Sequence, residues 1–530
     1  MRNRPIKPGN WIVAVLFTLS VSVVPAEDRI PSFGVASIFN DGAVLQCEMR
    51  VNVWGTAKPG ETVTVVFSGQ RKSAVASEGG RWRLVLDPLK VSSEPKLLTA
   101  STEKQKAEIR NVVVGEVWLA TGQSNMVQPA RVTEEGREAL KTVHPKIHFA
   151  RVPLRAGAPH ISPCTKEELA WGEFGPQHNQ LAAVAFHFAE ELQPKVKRHV
   201  GIIQCSYGGT AIQSWMPEDL LLSIPCGKWI KGMFENERKR GYGVDEWKKE
   251  IADYNAATAV EREWAIKKQG EKPPQPKRPR QGNPFYNKTP TTLYESMTKE
   301  IIPYTARGVL WYQGEANAAR PDEYVELLSA HIGRVRQDFE NAELPFYIVQ
   351  LSAWGPGEKY WPAFRDAQAK VRDSVKNTGL ALSLDKGNRT NIHPPDKKPV
   401  GQRLAYLALN DTYDIETPSR GPMLKSTESK GSELFVTFGH TLDGLKTSDG
   451  AEAVTGLEIA GTDKQFVVAE ARITGKNEIR LRSPAVTKPK YARYAWHGFF
   501  KPALNLYNSA DLPAEPFLSD GSKQSQKNNK

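Results

Sequence analysis

Along the first part of the chain, apolar and polar positions alternate over short stretches. Val51-Asn-Val-Trp-Gly55 and Thr62-Val-Thr-Val-Val-Phe67 show a period of two, with Lys58-Pro-Gly-Glu61 as the turn between them. Gly79-Gly80 leads into Arg81-Trp-Arg-Leu-Val-Leu86, which alternates again. Short strands at this spacing predict a small β-sandwich over residues 27–111. The pattern changes at Val112-Val-Val-Gly-Glu-Val-Trp-Leu-Ala120, a near-continuous apolar run suited to a strand buried on both faces. Similar runs recur at 200–205, 308–312, 345–351 and 379–384, with helical spacing between them over 182–192 and 321–339. This alternation predicts a parallel α/β sheet across residues 112–417. Strands return from about residue 418, at 434–438, 466–469 and 478–482, as a second β-rich region to residue 518. The polar stretch Ser519–Lys530 is predicted to be a disordered tail.

Two segments break the pattern. Residues 228–290 interrupt the strand–helix alternation: Trp247, Ile251 and Tyr254 recur at helical spacing, and Pro273-Pro-Gln-Pro-Lys-Arg-Pro279 reads as an extended return. A charged, solvated helical insertion is the expectation. At the start, Arg2, Arg4 and Lys7 precede the apolar run Trp11–Val24, and Val24 and Ala26 stand at the −3 and −1 positions of a cleavage site. The run has 14 residues, short of the roughly 20 that a spanning helix needs. Residues 1–26 are therefore predicted to be a signal peptide, and the mature protein to be secreted or periplasmic, with no membrane association after cleavage.

Composition adds bounds. At 530 residues, of which 40% are hydrophobic and 25% charged, the chain is ordinary globular material for two to four domains. The net charge of +12 raises the question of an acidic partner. Of this, +3 sits before residue 27 and +5 in 228–282, and no basic stripe is interleaved with aromatics, so nucleic acid is not an expected partner. The four cysteines show no zinc or redox spacing. Cys205, inside an apolar run, is expected to be a buried thiol, and Cys164 with Cys226 is the pairing to test.

Candidate chemistry gathers where the apolar runs end. Gly122-Gln-Ser-Asn-Met126 follows the first, and open α/β sheets bind ligands at such strand ends. Ser124 there suits a nucleophile beside backbone N–H groups, or simply a helix cap. Gly208-Gly209-Thr210 follows the second run, where paired glycines permit close backbone approach or a tight turn. Gln313, Glu315 and Asn317 follow the third, and His393 comes shortly after the last.

Taken in this order, Gly122-Gln-Ser-Asn-Met126, Gly208-Gly-Thr210, Trp311-Tyr-Gln-Gly-Glu315 with Asn317, and Ile392-His-Pro394 resemble the sialate O-acetylesterase family of SGNH hydrolases. Val44-Leu-Gln46, Trp54-Gly55, Gly401-Gln-Arg-Leu-Ala405, Tyr494-Ala-Trp496 and Asn505-Leu-Tyr-Asn508 extend the resemblance over nearly the whole mature chain, outside 228–290 and the tail. It implies a flavodoxin-like three-layer α/β/α parallel sheet between N-terminal and C-terminal β-rich domains. It further implies a serine esterase removing O-acetyl groups from sialic acid or related glycans, with no cofactor and no metal. Ser124 would be the nucleophile and His393 the base. The N–H groups of Ser124 and Gly209 and the amide of Gln313 would form the oxyanion hole. Gln123, Asn125, Glu315 and Asn317 would bind substrate. An acetylxylan-type esterase shares the same motifs.

One departure stands out. The family pattern before the histidine is Asp-Ile-His-Pro, whereas this chain reads Asn391-Ile-His-Pro394. In the serine-protease triad the same exchange lowers turnover roughly 10⁴-fold. Three expectations follow: a Ser–His dyad with Asn391 or a backbone carbonyl positioning the ring; a substitute acid such as Asp385 or Asp396; or a catalytically weak glycan-binding pseudoenzyme. Asn388 is a second, milder departure, since the family often has aspartate there.

Overall fold

The structure, a computed structural model, describes residues 32–157, 162–229, 232, 243–267, 271–279 and 283–519. The predicted signal peptide, the tail from residue 520 and parts of the insertion lie outside the described residues. No helix among the described residues is long and apolar enough to cross a membrane.

The centre of the molecule is a parallel sheet of β1 (Lys106–Gly122), β2 (His144–Arg151), β3 (Val200–Ser206), β4 (Gly308–Tyr312), β5 (Phe346–Val349) and β6 (Thr378–Ala381). The strands lie in the order β2-β3-β1-β4-β5-β6, and Gly172–Phe174 adds an antiparallel edge beside β2. Five longer helices are α1 (Ala183–Val196), α2 (Val244–Lys267), α3 (Pro321–Asp338), α4 (Trp361–Ser374) and α5 (Lys398–Asp411). Because strand side chains alternate between faces, the apolar run of β1 feeds two cores. Trp118 and Ala120 pack with Phe188 and Leu192 of α1 and Leu404 and Ala408 of α5. Val117 and Leu119 belong to a second core with Leu327 and Leu328 of α3 and Phe364 of α4. The α/β expectation thus corresponds to buried strands with helical apolar faces on either side.

The 17-residue strand β1 passes straight through the expected boundary at 111/112. Its first half pairs with Ser92–Ser101 and Val44–Gln46, and its second half with β3 and β4. At the junction Asn111 takes a left-handed conformation, φ 57°. The alternating N-terminal strands form two sheets: Gly34–Val35, Val51–Thr56 and Arg81–Leu86 in one, and Thr62–Phe67, Gln70–Val75 and Ser92–Ser101 continuing into β1 in the other. After α5 the chain forms three small antiparallel sheets, beginning at Met423 and ending at Leu518. Ser519, expected in the tail, is buried, and exchanges hydrogen bonds with the backbone of Ala492 at 2.8 and 2.9 Å.

The insertion needs correcting at its distal end. α2 is the expected helix, but 283–290 is not a solvated excursion. Asn283, Tyr286 and Thr289 are buried, because Asn283 donates to the Trp247 carbonyl at 3.0 Å and to Glu250 at 2.8 Å, tying α2 down. Phe285 fills the space that a side chain on Gly157 would need, 2.4 Å from an ideal Cβ. The Cys164–Cys226 pairing is not formed: all four cysteines are free thiols, and Arg155 donates to Cys164 Sγ at 2.9 Å.

Midway along β1, Glu116 is fully buried. It accepts from Arg198, just before β3, at 2.6 Å, from Arg307, just before β4, at 2.8 Å, and from Gln46 at 3.0 Å. Burial alone would raise its pKa, but the bonds from Arg307, Gln46 and Cys47 outweigh it and hold the carboxyl below its ordinary range. Glu116→Gln leaves Arg307 and Arg198 with the more exposed Glu48 as their acidic partner. Unpairing a buried charge costs roughly 3–5 kcal/mol, and with both arginines partly exposed we expect about 3 kcal/mol, read as a lower urea midpoint at unchanged slope.

Candidate active site

The strand order reverses around β1: β3 lies on one side and β4 on the other, and a crevice opens at their carboxyl ends. Three loops meet there. The first, 123–126, is a 3-10 turn directly after β1. Gly122 closes the strand at φ 123°, with a hypothetical Cβ only 2.2 Å from the Tyr312 carbonyl oxygen, so only glycine lets β1 and β4 close up at this point. The second loop, 207–210, follows β3. An ideal Cβ on Gly208 would sit 3.4 Å from Ser124 Cβ, which sets this turn against the serine. The third, 313–317, follows β4.

His393 comes from the loop between β6 and α5, and its Nε2 lies 2.8 Å from Ser124 Oγ. The loop owes its shape to two asparagines. Asn388 Oδ1 accepts from the backbone N–H of Thr390 at 3.0 Å and of Asn391 at 2.9 Å. Asn391 Oδ1 accepts from the backbone N–H of His393 at 2.9 Å. Both departures from the family pattern are therefore turn-forming side chains of the kind that Asn and Asp supply equally well. The Asn391 amide serves the backbone of His393, not its ring.

Neither alternative acid reaches the imidazole. Asp385 receives both arms of Arg403, at 2.7 and 2.8 Å, and the Tyr507 hydroxyl at 3.0 Å. It anchors the C-terminal β region to α5. Asp396 pairs with Lys386 at 3.3 Å. The expectation of a substitute acid at either position is overturned: each carboxylate is bound to a cation of its own.

Beneath the pair lies a network that the sequence did not reveal. Asn125, buried, donates to Glu315 Oε1 at 2.5 Å and to the Ile392 carbonyl at 3.2 Å, and accepts from Lys397 Nζ at 2.5 Å. Glu315 Oε2 is buried without a partner, and burial raises the pKa of this carboxyl. Lys397 is 1% exposed, and burial brings its pKa down to about 7. His393 is also lowered, first by burial and then by the charge of Lys397. Nothing in Asp396-Lys-Lys398 marks one lysine as internal; only the packing of α5 against the sheet buries Lys397.

The expected amide ligands turn inward. Gln313 Nε2 donates to Asn317 Oδ1 at 2.8 Å, to the Thr210 carbonyl at 3.1 Å and to Gln123 Oε1 at 3.2 Å, while its Oε1 accepts from Tyr324 at 2.9 Å. With both hydrogens engaged and the residue fully buried, Gln313 is a brace, not a free oxyanion donor. Asn317 accepts from the Ile212 N–H at 2.9 Å and donates to Gln213 at 3.0 Å. Gln123 and Asn125 are also buried. Polar side chains buried at strand ends need hydrogen-bond partners, and here each loop satisfies the next. Among the described residues, the N–H groups of Ser124 and Gly209 have no acceptor. A cluster of Cys47, Glu48 and Glu116 has metal-like spacing, but Arg198 and Arg307 already neutralise its carboxylates.

Fold and site define an α/β protein with a hydroxyl–imidazole pair at the switch point of a parallel sheet, the arrangement used by hydrolases of ester bonds. The chain matches the family described as carbohydrate esterase, sialic acid-specific acetylesterase, over residues 114–225 and 263–410. It is 26% identical to the mouse sialate O-acetylesterase over 92% of this chain and 94% of that protein, and 25% identical to the human one, with 92% of each covered. The crystal structure of a carbohydrate acetylesterase from Xanthomonas citri superposes with a TM-score of 0.75 at 28% identity, covering 93% of this chain and 100% of that one. The chain belongs to the sialic acid-specific acetylesterase family of carbohydrate esterases. The family match resumes at residue 263, so the proline-rich return lies within it.

Lys397 yields a test. It carries charge below about pH 7 and so disfavours a second charge on His393. Lys397→Met removes that repulsion, raises the His393 pKa and moves the acid limb of a pH–kcat/KM profile to higher pH. An unmoved limb would show that Lys397 does not act on the imidazole.

Proposed function

We propose that this protein is a serine carbohydrate esterase of the SGNH type, removing O-acetyl groups from sialic acid or related acetylated glycans through an acyl-enzyme. The observation that carries the reading is the 2.8 Å contact between His393 Nε2 and Ser124 Oγ at the mouth of the crevice. Ser124 Oγ attacks the acetyl carbonyl carbon while His393 takes its proton. The developing oxyanion receives hydrogen bonds from the N–H groups of Ser124 and Gly209. Gly209, at φ 71°, supplies a turn conformation that other residues resist. His393 then protonates the departing sugar oxygen, and the ester bond to the sugar breaks. Water, deprotonated by the same imidazole, attacks the acetyl-serine and releases acetate, returning the proton to Ser124. The basic residues 2–7 and the apolar run to Val24 support export of the enzyme.

Of the three readings of Asn391, the dyad has the support. No carboxylate of the described residues bonds the His393 ring. Instead, burial and Lys397 keep the imidazole neutral and able to accept a proton at neutral pH. The β regions pack firmly on the catalytic sheet, through Asp385–Arg403–Tyr507 on one side and the continuous β1 on the other.

Acetate release from O-acetylated sialosides, and hydrolysis of 4-nitrophenyl acetate, test the reading. Ser124→Ala is expected to lower kcat by at least about 10³-fold; equal rates in this variant and wild type would remove Ser124 from the mechanism. Asn391→Asp keeps the turn, since a carboxylate accepts the same backbone N–H. It is expected to change kcat by less than about tenfold, against the roughly 10⁴-fold of a triad aspartate.

A further inference from the structure

Next to the crevice is a second cavity of about 400 Å³ that the chemistry above does not use. Trp229, Arg278, Tyr286, Lys288, Asn317 and Arg320 line it. The geometry points to an anion subsite: the cavity seats the carboxylate of an acidic sugar whose acetyl ester lies at Ser124. This rests on the esterase reading and deepens it by assigning the acidic group of the substrate to named residues.

Charge is the first argument. Arg278 and Lys288 come from the return of the insertion, and Arg320 from the loop before α3, so three cations reach one cavity from two segments. Among the described residues the acid bonded to them is Glu323, 3.4 Å from Arg320. One acid against three cations leaves a net positive charge among the described residues at this cavity, and a bound anion would offset it. A carboxylate suits the site because a guanidinium offers it a planar fork. Arg320 is already oriented: its guanidinium lies over the Trp229 ring at 4.8 Å. Lys288 lies over the Tyr286 ring at 5.9 Å.

Polarity is the second. The Tyr286 hydroxyl is buried, in a residue only 6% exposed, and makes no hydrogen bond of ordinary geometry among the described residues, with Tyr254 the polar group beside it. A buried hydroxyl left unpaired is costly, and a bound polar ligand would satisfy it.

Position is the third. An ideal Cβ on Gly209 would lie 3.8 Å from Lys288 Nζ, whereas one on Gly208 would lie 3.4 Å from Ser124 Cβ. The ammonium and the nucleophile thus stand on either side of one two-glycine turn. Asn287, next to Lys288, donates to the Gly208 carbonyl at 3.0 Å, so the segment carrying the cation also holds that turn. Anion recognition and the oxyanion N–H of Gly209 share a wall.

The test uses calorimetric titration of the full-length Ser124→Ala protein with N-acetylneuraminic acid and with its methyl ester. The expected result is at least tenfold tighter binding of the acid, lost in a Lys288→Ala/Arg320→Ala background and retained in Lys288→Arg. Thermal unfolding of each variant shows that it is folded. Equal binding of acid and ester, no binding of either, or an undiminished preference in the double variant would overturn the proposal. Binding does not depend on catalysis, so a wild type that binds the acid but releases no acetate would sink the esterase reading and leave the subsite standing.

Discussion

Everything in this molecule hangs from one strand and the charge buried in its middle. β1 is at once the last strand of the N-terminal sheet and the central strand of the parallel one. A strand shared in this way makes the two regions mechanically continuous. Glu116 sits where they meet and draws in Arg198 and Arg307 from the starts of the strands on either side. The starts of β3 and β4 are thereby set in register against the middle of β1, and in a parallel sheet register at one end fixes the carboxyl ends at the other. Ser124, Gly208–Gly209 and Gln313 are those other ends. The placing of Ser124 against the glycine turn and Gln313 is in this sense decided some six residues upstream, about 20 Å along β1.

The crevice is built from amides that face each other. Gln123, Gln313, Asn317, Gln213 and the Thr210 carbonyl saturate one another, and Tyr324 closes the set from α3. Such a network is rigid because each member would be left unsatisfied by movement of the next. What it holds still is the backbone of three loops, and backbone N–H groups are the donors that the proposed reaction needs. Polar side chains behind, main-chain donors in front, is a division of labour that motif reading inverts.

Asn391 shows the same inversion. In the motif it stands in for an acid that steadies an imidazole. In the fold, Asn388 and Asn391 shape the loop that delivers His393, and Lys397 and burial govern its proton. The acid at Asp385 meanwhile serves as a rivet between α5 and Tyr507 of the C-terminal region.

The sequence by itself determined the class of fold and the place of the chemistry. Apolar runs such as Val112–Ala120, recurring in alternation with helical spacing, point to strands buried on both faces, and the polar segments after them then lie at strand ends. It also determined the pair Ser124 and His393 as candidates, because few residue types can attack a carbonyl or carry the proton. Partnership was decided by the tertiary structure alone. Whether an amide faces a substrate or another amide, whether Lys397 is internal while Lys398 is not, and whether 283–290 is an excursion or a wall depend on which distant segments pack together. Residue type states what a group can bond; only the fold supplies the neighbour that it does bond, over separations such as the 190 residues between Gln123 and Gln313.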